Sequence, residues 1–329
     1  MATTSGERGF VLVTTSLLLS SLLFLFSLVG DLGRIFLTKG ELQNVTDAAA
    51  LAAVSELPNG ADVAREKGNA FGQVHWTAGQ AILLSESDVQ LGRYDFEDGF
   101  ISELEPYNAV RVFARRTSDA PSGALGLLFA PLFGRNFSNV SALAVAMLDS
   151  HIVGVQGKNR LIPYSVIEEL TDQNHDGMID IGAVINVFPN DAAPGNFGVL
   201  DFDGGENGIP ETRRWIEEGY DYSLTIPPGG SLPIFGSPGI NGQSVLNSFE
   251  VIMGEIVFLP VHRTVVLEGS NAVFSVVNIV AARVNEVVLT GSQEDRRIMI
   301  ELIRFASSVL VTDPSAPENP SLAKPRLVI

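Results

Sequence analysis

Apolar and hydroxyl residues run without a single charge from Phe10 to Gly30, in FVLVTTSLLLSSLLFLFSLVG. At ~1.5 Å per residue, about 20 such residues make ~30 Å of helix, the thickness of a bilayer's hydrocarbon core. A helix in water keeps a polar face, so this pattern predicts a membrane-spanning segment rather than a buried core helix. From Asp31 the pattern changes. Leu32, Ile35, Leu42, Val45, Ala49 and Ala52 recur at spacings of three, four and seven among polar neighbours. That spacing predicts an amphipathic continuation of the same helix to Leu57, which Pro58-Asn59-Gly60 then stops. A rod of roughly 48 residues, ~70 Å long, is expected, half in lipid and half projecting from it. A cleaved signal peptide has a shorter apolar region followed by a small-residue cleavage site, and Val29 to Leu32 offers none. The segment therefore reads as an anchor that stays.

Residues 61–79 read as a short helix with Val63, Ala64, Ala70, Phe71 and Val74 on one side. From 81 to 148 the period falls to two. Val89 and Leu91 alternate with polar neighbours, Val110, Val112 and Ala114 alternate with Arg111, Phe113 and Arg115, and Val140 to Leu148 is a further strand. Such alternation predicts a sheet with one wet face. Gly123 to Gly134 (GALGLLFAPLFG) carries no charge and is too short to span a membrane. A buried connection or short core helix is expected there, the alternative being an apolar patch for a partner subunit or the membrane surface. In the second half, Arg160–Leu170 and IPETRRWIEEGY read as helices, and EIVFLPV, AVFSVVNIVAARV, EVVLTG and IMIELI as strands, with Glu268–Asn271 as a turn. The Pro-rich end from Asp313 reads as a flexible tail.

Several of these stretches resemble one family. The Arg8-Gly9 start, the apolar span, Asp31-Leu32-Gly33-Arg34 and then Leu42 to Ala53 (LQNVTDAAALAA) are similar to the N-terminus of the TadE/TadG-like proteins of Flp (Tad) pilus assembly. VQLGRYDFEDGF, NAVRVFARR, LLFAPLFG and VSALAVAM resemble the segment that follows in that family, and PGNFGVLDFDGG and the IVFLPV to NIVAARV series resemble its distal part. Gly9-Phe10 is similar to a prepilin-peptidase junction, but the fifth residue after such a cut is Thr14, where pilins carry Glu. The resemblance implies an N-terminus inside and a head outside the inner membrane. Lys and Arg counts on the two flanks barely discriminate orientation.

The expected fold class is therefore α+β, a long N-terminal transmembrane and amphipathic helix followed by a β-rich extracytoplasmic head. Its expected parts are a cytoplasmic start (1–9), the span (10–30), the rest of the rod (31–57), a first head domain (58–150), a second (151–312) and the tail (313–329). The resemblance implies a structural or adhesive, minor pilin-like role without catalysis, with the bilayer and other Tad/Flp pilus or secretion subunits as partners.

Charge and chemistry narrow this further. A net charge of −17 with scattered Lys and Arg makes nucleic acid a poor partner. The absence of Cys excludes disulfides, thiolate catalysis and Cys-type zinc sites. The four histidines (His75, His151, His175, His262) are far apart in sequence, with no HExxH, GxSxG or phosphate-cradling glycine motif. Glu168-Glu169 and Asp201/Asp203 read as surface turns rather than catalytic pairs.

One motif stands out. Asp172 to Asp180 (DQNHDGMID) fits the front of an EF-hand-type calcium loop. Asp172, Asn174 and Asp176 would offer side-chain oxygens, Met178 its carbonyl, Asp180 a ligand often placed through water, and Gly177 the sharp turn. The twelfth position of this loop (172–183) is Ala183 rather than the closing Glu, so calcium would need a borrowed carboxylate, such as Asp201, Asp203 or Glu206. Otherwise the stretch is an Asx-rich turn. Alternatives to a pilus role are a membrane-tethered calcium-dependent hydrolase and a free-standing adhesin or carbohydrate-binding head. A deep cleft with converging catalytic groups would mark the first, a shallow loop surface the second.

Overall fold

The computed structural model describes residues 5–188, 199–204, 208–237, 243–266, 272–288 and 297–328. One uninterrupted helix, α1 (Ser5–Ser55), carries both the apolar span and its amphipathic continuation. It stops where Pro58 enters a short 3-10 turn, Leu57–Asn59, and Gly60 takes φ 124°, a conformation that favours glycine. The chain divides into two compact units, Met1–Met147 with Leu327–Ile329, and Leu148–Arg326.

In the first unit, α2 (Ala61–Gln73) folds back along α1. An antiparallel sheet follows, built from β1 (Val89–Asp95), β2 (Gly99–Ser102), β3 (Ala109–Arg116) and β6 (Val140–Asp149) in the order β2-β1-β3-β6. Between β3 and β6 a small hairpin pairs β4 (Leu125–Gly126) with β5 (Phe137–Ser138). The period-two pattern decides which sheet face is dry. Val110, Val112 and Ala114 are buried, while Arg111, Phe113 and Arg115 are half-buried on the other side. Leu42 and Val45 of α1 share a core with Ile82, Ala114, Leu125, Val140 and Ala142. The helix-to-helix contact is close because its residues are small. A Cβ on Gly68 of α2 would meet the Ala53 and Val89 side chains at 3.1 Å.

The second unit is organised around one long strand, β14 (Val273–Val288). One of its edges pairs with β13 (Ile256–Val266); the other pairs first with β12 (Leu232–Gly236) and then with β15 (Arg297–Ile303). Beyond these lie β8 (Val166–Ile167) parallel to β13, β9 (Val184–Phe188) against β15, and β10 (Leu200–Asp201) against β12. β7 (Ile152–Val155) lies between β11 (Leu224–Thr225) and β17 (Leu310–Thr312) in a separate small sheet. The middle of β14 is dry on both faces, with Val280, Ala282 and Val284 in one core and Phe274, Val276, Ile279 and Ala281 in the other, while Arg283 and Asn285 further along are exposed. Helix α4 (Ile209–Glu218) supplies Trp215 to the second core and Ile216 to the first. Helix α5 (Gln243–Val251) adds Phe249 to the first.

Three expectations are corrected. Arg160–Leu170 is extended for most of its length, with only a one-turn helix, α3 (Glu168–Thr171). Pro163 disfavours a helical residue before it, and Leu161, Ile162, Tyr164 and Val166 are all buried, which a one-sided helix could not achieve. The Pro-rich end is ordered rather than flexible: β16 (Phe305–Ala306) runs parallel to β18 (Leu322–Leu327). Asn319 and Ser321 are buried, and the Asn319 amide donates to the Ile279 carbonyl at 2.8 Å while the Ser321 hydroxyl donates to the Ile303 carbonyl at 2.8 Å. Prolines 314, 317 and 320 fix φ in the unfolded chain as well as the folded one, so ordering this segment costs less entropy. Finally, Gly123–Gly134 is neither a core helix nor a buried connection. It forms strand β4 and a loop with a 3-10 turn, Ala130–Phe133, that leaves Leu128, Phe129, Leu132 and Phe133 exposed. The expected turn at Glu268–Asn271 lies outside the described residues.

Candidate functional site

Along α1 the fate of apolar side chains changes at Asp31. The most apolar stretch has a mean hydropathy of 2.2, and none of it is buried within the protein. Most of its hydroxyls are tied to the helix backbone. Thr14, Ser16, Ser20, Ser21 and Ser27 each donate to the carbonyl four residues back, at 2.7 or 2.8 Å, as hydroxyls must where no water is present to satisfy them. Past Asp31, Leu42, Val45, Ala49, Ala50, Ala53 and Val54 are buried.

Asp31 itself is only 7 % exposed. Its Oδ1 accepts from the Leu128 amide at 2.7 Å, and its Oδ2 from the Phe129 and Ala130 amides at 3.1 and 2.6 Å. One carboxylate thus holds three successive amides of the β4–β5 loop. Gly30 lets that loop approach, since a Cβ there would lie 3.0 Å from the Phe129 ring. Seven residues earlier, Phe24 meets Phe133 edge to face, with centroids 5.3 Å apart.

The second half of α1 is fastened to its own head. Gln43 donates to the Leu143 carbonyl (3.1 Å) and to Asp47 (2.8 Å), Lys39 donates to the Ser141 carbonyl, and Glu41 accepts from the Ala78 amide at 2.8 Å.

The acidic loop of the second unit closes on its own amides. Asp172 accepts from the Asp176 and Gly177 amides at 3.1 and 2.9 Å, and Asp180 accepts from the Gln173 amide at 2.7 Å and the Asn174 side chain at 2.9 Å. Asp176 accepts from the Met178 amide at 2.8 Å. His175 (φ 60°) and Gly177 (φ 84°) make the bend, while Ile179 and Ala183 lean on the core. Among the described residues no three His, Asp or Glu side chains gather in a way that could hold a metal ion. Asp201 accepts from the Gly204 amide at 2.8 Å in a turn of its own, and burial pushes its carboxyl above the usual range, with neighbouring Asp203 adding to the effect. Glu206 lies outside the described residues.

The other groups weighed for chemistry are held structurally. Glu168 forms a two-pronged pair with Arg263, at 2.6 and 2.9 Å. Buried Asp149 accepts from the His151 ring and from Arg326, both at 2.9 Å, fastening the end of the chain. His262 is wholly buried edge-on to Phe274, neither ring nitrogen has a partner, and burial lowers its pKa to about 4. A cavity of about 430 Å³ is lined by Lys158, Asn159, Arg160, Glu218 and Ser307 beside Phe258, Phe305 and Val309. It offers one carboxylate and no imidazole.

Comparison with known proteins bears on the first unit alone. Residues 9–56 match the TadE/G-like Flp pilus-assembly family, and residues 38–146 match the Tad-like Flp pilus-assembly family. Over residues 9–146 the chain is thus similar to two overlapping families of Flp pilus-assembly proteins. No curated protein and no solved structure matches it significantly. The second match ends one residue short of the first compact unit's end at Met147, so the matched module is that unit, rod included. The likeness read in residues 194–205 falls outside both matches, and residues 194–198 and 205 outside the described ones.

The structure gives the Tad motif a physical meaning. Leu42 is core, Gln43 fastens the rod to β6, Asp47 orients Gln43, and the alanines admit α2. The small residues from Ala48 to Ala53 are expected to let another helix approach closely. The helix that does so is the protein's own α2, with β3 also packed on this half of the rod. The role of Asp31 was not evident from the sequence. The one available signal was a lone acid at the end of an apolar span, followed about 95 residues later by an uncharged, proline-containing loop.

Proposed function

We propose that this protein is a non-catalytic, minor pilin-like component of Flp pilus assembly, anchored in the inner membrane by Phe10–Gly30 with its N-terminus cytoplasmic and its head on the far side. One observation carries the reading: a single helix passes from an uncharged, exposed apolar half into the core of the region that matches the Tad models. The helix is then a rigid post that fixes the head's height above the bilayer, and the partners are other Tad/Flp subunits. Recovery of such subunits with the tagged full-length protein from membranes is the expected result, and their absence would contradict the assembly role. Orientation is tested with an impermeant maleimide, since the chain has no cysteine of its own. In Ser102→Cys, labelling in intact spheroplasts is expected, and protection until lysis would reverse the topology.

Calcium at Asp172, Asn174, Asp176, Met178 and Asp180 is a further part of the proposal. It is supported by the bend at Gly177 and by the anchoring of Ile179 to the core. Calcium titration is expected to raise the melting temperature, and Asp172→Ala to abolish the rise. No shift in the unsubstituted protein ends this part of the reading.

A further inference from the structure

Among the described residues of the first unit, the β4–β5 loop gathers a run of exposed apolar side chains. Leu132 is 78 % exposed and Phe133 62 %, with Leu128, Phe129 and Phe137 also exposed. Exposed apolar side chains in such a cluster mark a surface that is covered by something other than water. What covers this one follows from where it sits on α1. Phe133 packs on Phe24, which lies seven residues, or about 10 Å along the helix, on the lipid side of Asp31.

The helix itself agrees. At ~100° per residue, Phe36 and Leu37 lie on faces turned away from Asp31, and both are well exposed. So α1 stays apolar outward past the level of its first charge, and that charge is hidden. Asp31 is covered by the three loop amides, and it in turn satisfies amides that would otherwise be stranded at membrane depth. Arg135, the one charge between Asp119 and Asp149, stands just behind the apolar tip, where a long cationic side chain can reach headgroup phosphates.

We infer that residues 127–134 are a membrane-inserted loop, a second contact with the bilayer that lies against the anchor and sets the tilt and depth of the head. The inference rests on the anchor reading above. The occupant it names is the lipid bilayer, not a second copy of the chain or another subunit.

The test uses the full-length chain with a single environment-sensitive label at Leu132→Cys. The protein is reconstituted in phosphatidylethanolamine and phosphatidylglycerol vesicles with or without a doxyl-labelled lipid. Leu19→Cys, within the span, and Ser102→Cys, on the exposed strand β2, give the lipid and water limits. The label at Leu132 is expected to emit to the blue of that at Ser102. It should also be quenched to at least about half the extent seen at Leu19, as for side chains seated ~5–10 Å into the headgroup and acyl boundary. Emission like that of Ser102 without quenching overturns the inference. So does blue-shifted emission without quenching, which would mean that protein covers the loop. An unquenched Leu19 would instead overturn the anchor reading itself. Leu128→Cys gives an independent reading at a second exposed position in the loop.

Discussion

The two compact units meet the same demand, burial of apolar surface, in opposite ways. The second unit completes its cores internally. The middle of its long strand is dry on both faces, and it even encloses a histidine without hydrogen-bond partners. The first unit leaves an entire uncharged helix half and an apolar loop uncovered, while the other half of the same helix is packed as a core element. Helical geometry is identical in the two halves of α1, so the difference lies in side chains alone. Long aliphatics and phenylalanines all round suit lipid; small residues and leucines on one face suit a sheet. The first unit should therefore respond to its solvent, and the second to pH.

The largest contrast is expected within α1. Leu42→Ala should cost the first unit about 2–5 kcal/mol, because the cavity it leaves lies under the sheet. Leu19→Ala should change head stability by less than about 0.5 kcal/mol, since that side chain touches no protein core. Hydrogen exchange over residues 89–116 reads both. A comparable loss from the two substitutions would erase the distinction between the halves.

Next is pH. Burial depresses the His262 pKa from 6.5 to about 4, so the unfolded chain binds a proton that the folded chain refuses. The stabilisation is full above pH 6.5 and is lost as pH falls towards 4, by about 3 kcal/mol in all. Exchange across 256–288 should quicken over that window, flatten in His262→Leu, and leave the first unit unchanged. Asp149 separates from this effect. Burial would raise its pKa, but the His151 hydrogen bonds, with the charges of His151 and Arg326, hold it below 3.8, so its contribution is present above that pH and lost only further into acid.

A smaller effect is expected at Asp31. Asp31→Ala leaves three loop amides without their acceptor and should cost about 1–3 kcal/mol, seen as faster exchange at residues 128–130 with the sheet unaffected. Unchanged exchange there would mean that the clamp does not hold the loop.

The rod, its break at Pro58, the alternating strands of the first unit and the long apolar strands of the second could all be read from periodicity, because each depends on neighbours close in sequence. Readings that failed depend on distant partners. Arg160–Leu170 has helix-compatible apolar spacing, but burial on all sides and Pro163 make it extended. The proline-rich end looks like a linker until Asn319 and Ser321 meet the sheet carbonyls. For the apolar loop, burial and an exposed patch are both compatible with the uncharged sequence, and the choice turns on Asp31, 97 residues from Leu128, which holds it.

The anchor reading requires that Phe10–Gly30 remain in the mature protein as the lipid-facing half of one continuous helix. Intact mass of the protein extracted from membranes tests it most directly. A chain retaining all of Phe10–Gly30, whether it starts at Met1 or at Phe10, is the predicted result. A mature chain that begins downstream of Gly30 would contradict the anchor, the membrane-inserted loop and the assembly role together.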